Sequence, residues 1–233
     1  MTDHNLITTD QLTKIFTGEK TPTSRRRRDV IVAVDHVSFT LRPGEIIGLI
    51  GGNGSGKTTL LRLLAGTSVP TSGQVDRRSS PRAILSLGGS LHGQLTAREN
   101  IYLYGAMLGQ TKKELQAAES GILDFAALAE VADEPVRQYS MGMKLRLAFA
   151  IATCGQPEIM LIDEVITAGD ASWQASGLSR LQSLAHHGSG LIIATHDLTT
   201  ICQVATKVIW MERGRIKKMG APAEVTAAYK KSL

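Results

Sequence analysis

The residues best placed to do chemistry lie in Gly51-Gly52-Asn53-Gly54-Ser55-Gly56-Lys57-Thr58-Thr59. Glycines at this spacing let backbone N–H groups converge on phosphate oxygens, and a helix starting at the lysine adds a favourable partial charge. Lys57 would reach the outer phosphates and the Thr58 hydroxyl would ligate Mg²⁺. A second candidate is Asp163-Glu164, which follows the apolar run Ile159-Met160-Leu161-Ile162. There Asp163 could hold Mg²⁺, directly or through water, and Glu164 could polarise an attacking water. His196 follows Leu191-Ile192-Ile193-Ala194-Thr195. If that run is a strand, its carboxyl end opens on the ligand crevice of a parallel sheet, and His196 could donate a hydrogen bond to a γ-phosphate. Ser140 is an N-cap candidate, and Gly142 permits close backbone approach, so Tyr139 to Ala150 offers a second helix N-terminus suited to an anion.

These groups need strands and helices to position them. Glu45 to Ile50 reads as a buried strand feeding the glycine loop, and Thr58 to Ala65 as a helix stopped by Gly66. Leu6 to Phe16 and Val30 to Leu41 have strand character, and Ala83 to Leu87 is a short apolar strand. Thr96-Ala97-Arg98-Glu99 and Thr111-Lys112-Lys113-Glu114 fit the capping box, placing helix starts at both threonines. Phe125 to Val131 is read as a further helical stretch, broken by Pro135. Residues 96 to about 152 therefore form a helical insertion, after which short apolar runs alternate with helical segments. That rhythm indicates a parallel sheet with crossover helices. Glu212-Arg213-Gly214-Arg215 is a hairpin turn, and Ala223 to Lys231 a closing helix.

Bulk properties bound the function. The 233 residues suffice for one large domain with a subdomain, at 42% hydrophobic and 20% charged content. No apolar run approaches the roughly 20 residues of a membrane span. Cys154 and Cys202 show no metal-ligand spacing, so a reduced cytosolic setting is expected, with both as small buried side chains. Of the net charge of +5, Arg25-Arg26-Arg27-Arg28 carries four and leaves +1 for the rest. One basic knot and 4% aromatics do not suit nucleic-acid binding, which uses a spread basic face with stacking aromatics. The knot is either a solvated loop or a contact for anionic headgroups.

Taken together, the glycine loop, Asp163-Glu164, His196 and Tyr139-Ser140-Met141-Gly142-Met143 resemble an ATP-binding cassette (ABC) ATPase over nearly the whole chain. The Ser140–Gly142 segment corresponds to the family's signature loop, usually Leu-Ser-Gly-Gly-Gln, with Tyr139, Met141 and Met143 replacing its Leu, first Gly and Gln. The segments Tyr139 to Phe149, Thr96 to Asn100, Asp163 to Asp170 and Leu85 to Gly93 are similar to cassettes of polysaccharide, O-antigen, capsule and teichoic-acid exporters. The resemblance implies an α/β P-loop NTPase of ABC type: a mixed-sheet core with an antiparallel β subdomain (1–95 and 153–233) and a helical subdomain (about 96–152). No C-terminal carbohydrate-binding domain is expected within the 233 residues.

The resemblance also implies ATP and Mg²⁺ as ligands. It implies a head-to-tail homodimer in which Ser140 and Gly142 complete the site built by Gly51–Thr59 of the other subunit. An integral-membrane permease subunit would be the further partner, at the cytoplasmic face of the plasma membrane. Glu164 becomes the catalytic base, His196 the γ-phosphate sensor, Asp170 a dimer-contact carboxylate, and Phe16 the aromatic against adenine, for which core packing is the rival role. One departure stands out: Leu87-Gly88-Gly89 occupies the place of the family's usual glutamine, and Gln94 lies further along. Transport of another cargo is the alternative function. A nucleic-acid clamp fits the localised charge poorly, and a small-molecule kinase leaves Ser140 to Phe149 unexplained.

Overall fold

A computed structural model describes residues 5–17, 30–85, 91–163 and 171–233. Arg25–Arg28, Leu87-Gly88-Gly89, Glu164 and Asp170 lie outside the described residues. Nine strands and seven helices are described. Three strands, β1 (Ile7–Thr17), β2 (Val30–Leu41) and β4 (Ser72–Arg77), form an antiparallel sheet in the order β2-β1-β4. The other six are β3 (Ile46–Ile50), β5 (Arg82–Ile84), β6 (Ile159–Asp163), β7 (Gly190–Ala194), β8 (Lys207–Glu212) and β9 (Arg215–Gly220). They form a mixed sheet in the order β5-β6-β7-β3-β8-β9, parallel except for the β8–β9 hairpin.

Alternation decides how this mixed sheet is covered. Successive side chains of a strand point to opposite faces. On one face Ile46, Ile50, Met160, Ile162, Leu191 and Ile193 pack against the helices, while Ile47, Leu49, Leu161, Ile192, Ile209 and Met211 face the other core. That second core also holds Leu60, Leu61, Leu63 and Leu64 of α1 (Lys57–Ala65) and the antiparallel sheet's Ile7, Leu12, Val34 and Leu41. Burial on both faces is why these strands are continuous apolar runs rather than alternating ones.

Between β5 and β6 the chain forms three helices: α2 (Ala97–Met107), α3 (Lys112–Ala126) and α4 (Met141–Ala152). Both capping boxes are made. The Thr96 and Thr111 hydroxyls accept from the Glu99 and Glu114 N–H groups, and the two glutamates accept from the threonine N–H groups. Three further helices follow: α5 (Ala171–His186), α6 (Leu198–Val204) and α7 (Pro222–Lys230).

Two local expectations need correction. Phe125 to Val131 is not a separate helix. Helix α3 runs through Phe125, Ala127 terminates it in the left-handed region at φ 54°, and a 3₁₀ turn follows at Ala129–Val131. The C-terminal stop is an alanine where glycine is the usual residue, so residue type gave no signal of it. Cys154 is buried as expected, whereas Cys202 is exposed on α6 and its thiol contacts the Thr226 hydroxyl at 3.3 Å.

Candidate functional site

Three parallel strands deliver the chemistry to one edge of the mixed sheet. Ala194 of β7 is in register with both Leu49 of β3 and Asp163 of β6. The glycine loop, Asp163 and the Thr195-His196 segment thus leave the sheet at the same level, where ligands bind in open parallel sheets. His196 is exposed there, and the next residue, Asp197, caps α6 by accepting from the Thr199 N–H at 2.9 Å. The Thr200 hydroxyl, followed by backbone N–H groups, holds the Asp197 carboxyl below its ordinary range despite partial burial.

The glycine loop is built by close backbone approach. Gly56 is the N-cap of α1, with φ 103°, and a Cβ placed on it would lie 2.2 Å from the Ala33 carbonyl oxygen of β2. No larger residue fits without moving the loop or the strand. The first turn of α1 contains no acidic residue, so its N-terminal partial charge is not neutralised from within the helix. Lys57 is buried, and its Nζ donates to the carbonyls of Gly51 at 2.7 Å and Gly52 at 3.2 Å, folding the ammonium into the loop. Among the described residues the buried Ser55 hydroxyl has no hydrogen-bond partner, an incomplete arrangement that a phosphate oxygen would satisfy.

The Thr58 hydroxyl donates to Asp163 Oδ2 at 2.8 Å. Two residues 105 positions apart therefore place a hydroxyl and a carboxylate side by side. Among the described residues, no three His, Cys, Asp or Glu side chains converge on a metal position. A hydroxyl oxygen with one carboxylate suits Mg²⁺, which keeps several waters and takes its remaining ligands from substrate phosphates.

A cavity of about 350 Å³ lies against the loop and is lined by Asn53–Thr59, Phe16 and Ile31–Ala33. Phe16 is 45% exposed, Ile31 62% and Val32 42%, so these side chains form an open apolar wall rather than core. The Lys14 ammonium stands 5.1 Å from the Phe16 ring centroid. Ile31, Val32 and Ala33 were not singled out from the sequence. The available signal was Val30-Ile31-Val32-Ala33-Val34, which stays apolar where a half-exposed strand would alternate.

Ser140 caps α4 as expected, accepting from the Met143 N–H at 3.2 Å, and Gly142 sits in the helix's first turn. Neither residue lines the cavity at the glycine loop. The structure therefore brings together Phe16, Gly51–Thr59 and Asp163 with His196 at the same sheet edge, and places Ser140 and Gly142 on a separate helix end.

A family model described as ABC transporter matches residues 34–167, more than half of the chain. The chain belongs to the ABC transporter family. It is 38% identical over 211 residues to the O-antigen export system ATP-binding protein RfbB of Myxococcus xanthus, covering 90% of this chain and 48% of that protein. It is 37% identical over 202 residues to RfbB of Klebsiella pneumoniae, covering 87% and 82%. To the teichoic acids export ATP-binding protein TagH of Bacillus anthracis it is 37% identical over 197 residues, covering 84% and 36%. The chain thus spans about half the length of the Myxococcus relative. Among solved structures, the ATP-binding subunit of an ABC transporter matches with a TM-score of 0.78 at 22% identity, covering 97% of this chain and 93% of that one. A dimeric post-hydrolysis cassette, MJ0796 bound to ADP and Pi, matches with a TM-score of 0.77 at 23% identity, covering 93% and 98%. These likenesses establish the ABC cassette fold.

Proposed function

We propose that the chain is the ATP-hydrolysing subunit of an exporter of polysaccharide or lipid-linked glycan, acting as a head-to-tail homodimer on a separate membrane subunit. The observation that carries the cargo assignment is 37–38% identity, over most of this chain, to ATP-binding proteins named for O-antigen and teichoic-acid export. Among the described residues no helix is long and apolar enough to cross a membrane, so transport calls for a membrane partner. The cassette would work at the cytoplasmic face, where ATP is available.

Each site residue has a distinct task in this reading. The N–H groups of Gly51–Thr59 cradle the phosphates, and Lys57 leaves the Gly51 and Gly52 carbonyls to meet them. Phe16 would offer its exposed ring to the adenine, on an apolar wall continued by Ile31 and Val32. Thr58 and Asp163 would hold Mg²⁺, which supplies positive charge to the phosphate oxygens when bound. Glu164, one residue past β6, takes the proton of the attacking water, and His196 donates to the γ-phosphate. Ser140, Gly142 and Asp170 act across the dimer, the α4 N-terminus of one subunit closing over the nucleotide of the other.

To test this, the chain is co-reconstituted with its membrane subunit in liposomes and ATP turnover is measured with candidate cargoes. Stimulation by a lipid-linked glycan is expected; stimulation only by a drug or by lipid without glycan would overturn the cargo assignment. The hydrolytic role is tested with Glu164→Gln, which should bind ATP, stop turnover and form a stable dimer. Wild-type turnover by a variant that stays monomeric with ATP bound would contradict it.

A further inference from the structure

The phosphate loop and the apolar wall belong to different sheets, and the β8–β9 hairpin joins them. Its two-residue turn, Arg213-Gly214, has φ of 49° and 81°, both in the left-handed region, as a type I′ turn requires. The Gly214 N–H donates to the Ser55 carbonyl of the phosphate loop at 3.0 Å, and the Gly214 carbonyl accepts from the Asp35 N–H of β2 at 2.9 Å. A single residue thus bonds the loop on one side and the wall-bearing strand on the other.

The adjoining side chains close a ring around this connection. Arg215 Nε donates to Asp35 Oδ2 at 2.5 Å, so residue 35 holds the Gly214 carbonyl through its N–H and the next residue through its carboxylate. His36 Nδ1 lies 2.5 Å from the other oxygen of the same carboxylate. Contact is tight on the strand side: a Cβ on Gly214 would meet the Ala33 and Val32 carbonyl oxygens at 3.1 and 3.3 Å. Val32 and Ala33 line the cavity three and two residues before Asp35.

We propose that the Asp35–Arg215 ion pair and the Arg213-Gly214 turn are a positioning device that fixes the phosphate loop relative to the apolar wall, and so sets affinity for the whole nucleotide. This rests on the assignment of Gly51–Thr59 as the phosphate site. Asp35 and Arg215 are positioning residues, since neither lines the cavity. Holding both halves at the spacing of an intact nucleotide lowers the ordering cost of binding. Polyphosphate, which reaches the loop without touching the wall, has no need of that spacing.

The test compares Asp35→Ala, Arg215→Ala, Arg215→Lys and Lys57→Ala in the full chain. The measurements are thermal unfolding, KM and kcat for ATP, and inhibition by Mg²⁺-tripolyphosphate. Asp35→Ala and Arg215→Ala should raise KM for ATP by about fivefold or more, with kcat and the tripolyphosphate inhibition constant within about twofold of wild type. Arg215→Lys should recover part of the loss, because it keeps the charge. Unchanged KM in both alanine variants would overturn the proposal. So would equal losses for ATP and tripolyphosphate, which mean damage to the loop itself. Lys57→Ala keeps the two claims apart: it should lose both ligands, and if it binds both normally, the phosphate-site assignment fails instead. A Gly214→Ala variant that folds should raise KM for ATP as well.

Discussion

Gly56→Ala is the perturbation whose consequences the structure fixes most closely. The added Cβ would lie 2.2 Å from the Ala33 carbonyl oxygen, at a residue with φ 103°. Reaching a tolerable contact of at least 3.0 Å requires the loop and β2 to separate by roughly 1 Å, because a packed interior has no slack for the clash. Holding a non-glycine residue in such a region costs about 1–3 kcal/mol. For a chain of this length that lowers the unfolding midpoint by about 2–12 °C. The functional loss should be larger, since a displacement near 1 Å in a phosphate cradle costs on the order of a hundredfold in rate. Thermal unfolding and steady-state ATP turnover measure the two effects separately. Gly52→Ala is the stability control: among the described residues a Cβ there meets nothing within 4 Å, so its midpoint should stay within about 2 °C of wild type. A Gly56→Ala protein with wild-type midpoint and ATP turnover would refute the close-approach argument.

Other predictions follow from the side chains. Asp163→Asn should leave Mg²⁺-free ATP affinity within about twofold of wild type while removing the gain that Mg²⁺ confers, as read by calorimetry with and without Mg²⁺. Undiminished Mg²⁺ dependence would contradict the Thr58–Asp163 metal site. Asp197 should contribute to acid stability through the Thr200 hydroxyl and the Thr199 N–H. Its folded pKa lies below the ordinary 3.8, so the contribution is full above that value and lost as pH falls through the folded pKa. Thermal scans from pH 6 to pH 2 should therefore show a shallower acid decline for Asp197→Asn than for wild type; parallel curves would remove the effect.

Much of the site was legible because residue type and local geometry coincide there. Ile46–Ile50 is apolar at every position because both faces of the sheet are covered, and the glycine loop follows it directly. The capping boxes at Thr96 and Thr111 and the Ser140 cap depend on bonds three residues apart, which the sequence displays. Other features depend on what lies across space. Phe16 had core packing as a rival role, and its exposure beside the loop follows from pairing with Ile31, whose partner strand could not be read from either segment. The Ser55–Gly214–Asp35 connection uses backbone groups 159 and 179 positions apart in the chain, so no residue type announces it. Ala127 shows the converse, a left-handed helix stop without the glycine that normally marks one.

The central claim, that each glycine loop is half of a site completed by Ser140 of another copy, is tested most directly by mixing two inactive variants. Lys57→Ala spoils the loop and keeps the α4 N-terminus; Ser140→Arg does the reverse. In a head-to-tail dimer containing one of each, one site combines the intact loop with the intact Ser140. A 1:1 mixture should therefore cleave ATP in a single-turnover assay, at about a quarter of the wild-type amplitude if subunits pair at random. A mixture as inactive as either variant by itself would contradict the shared site.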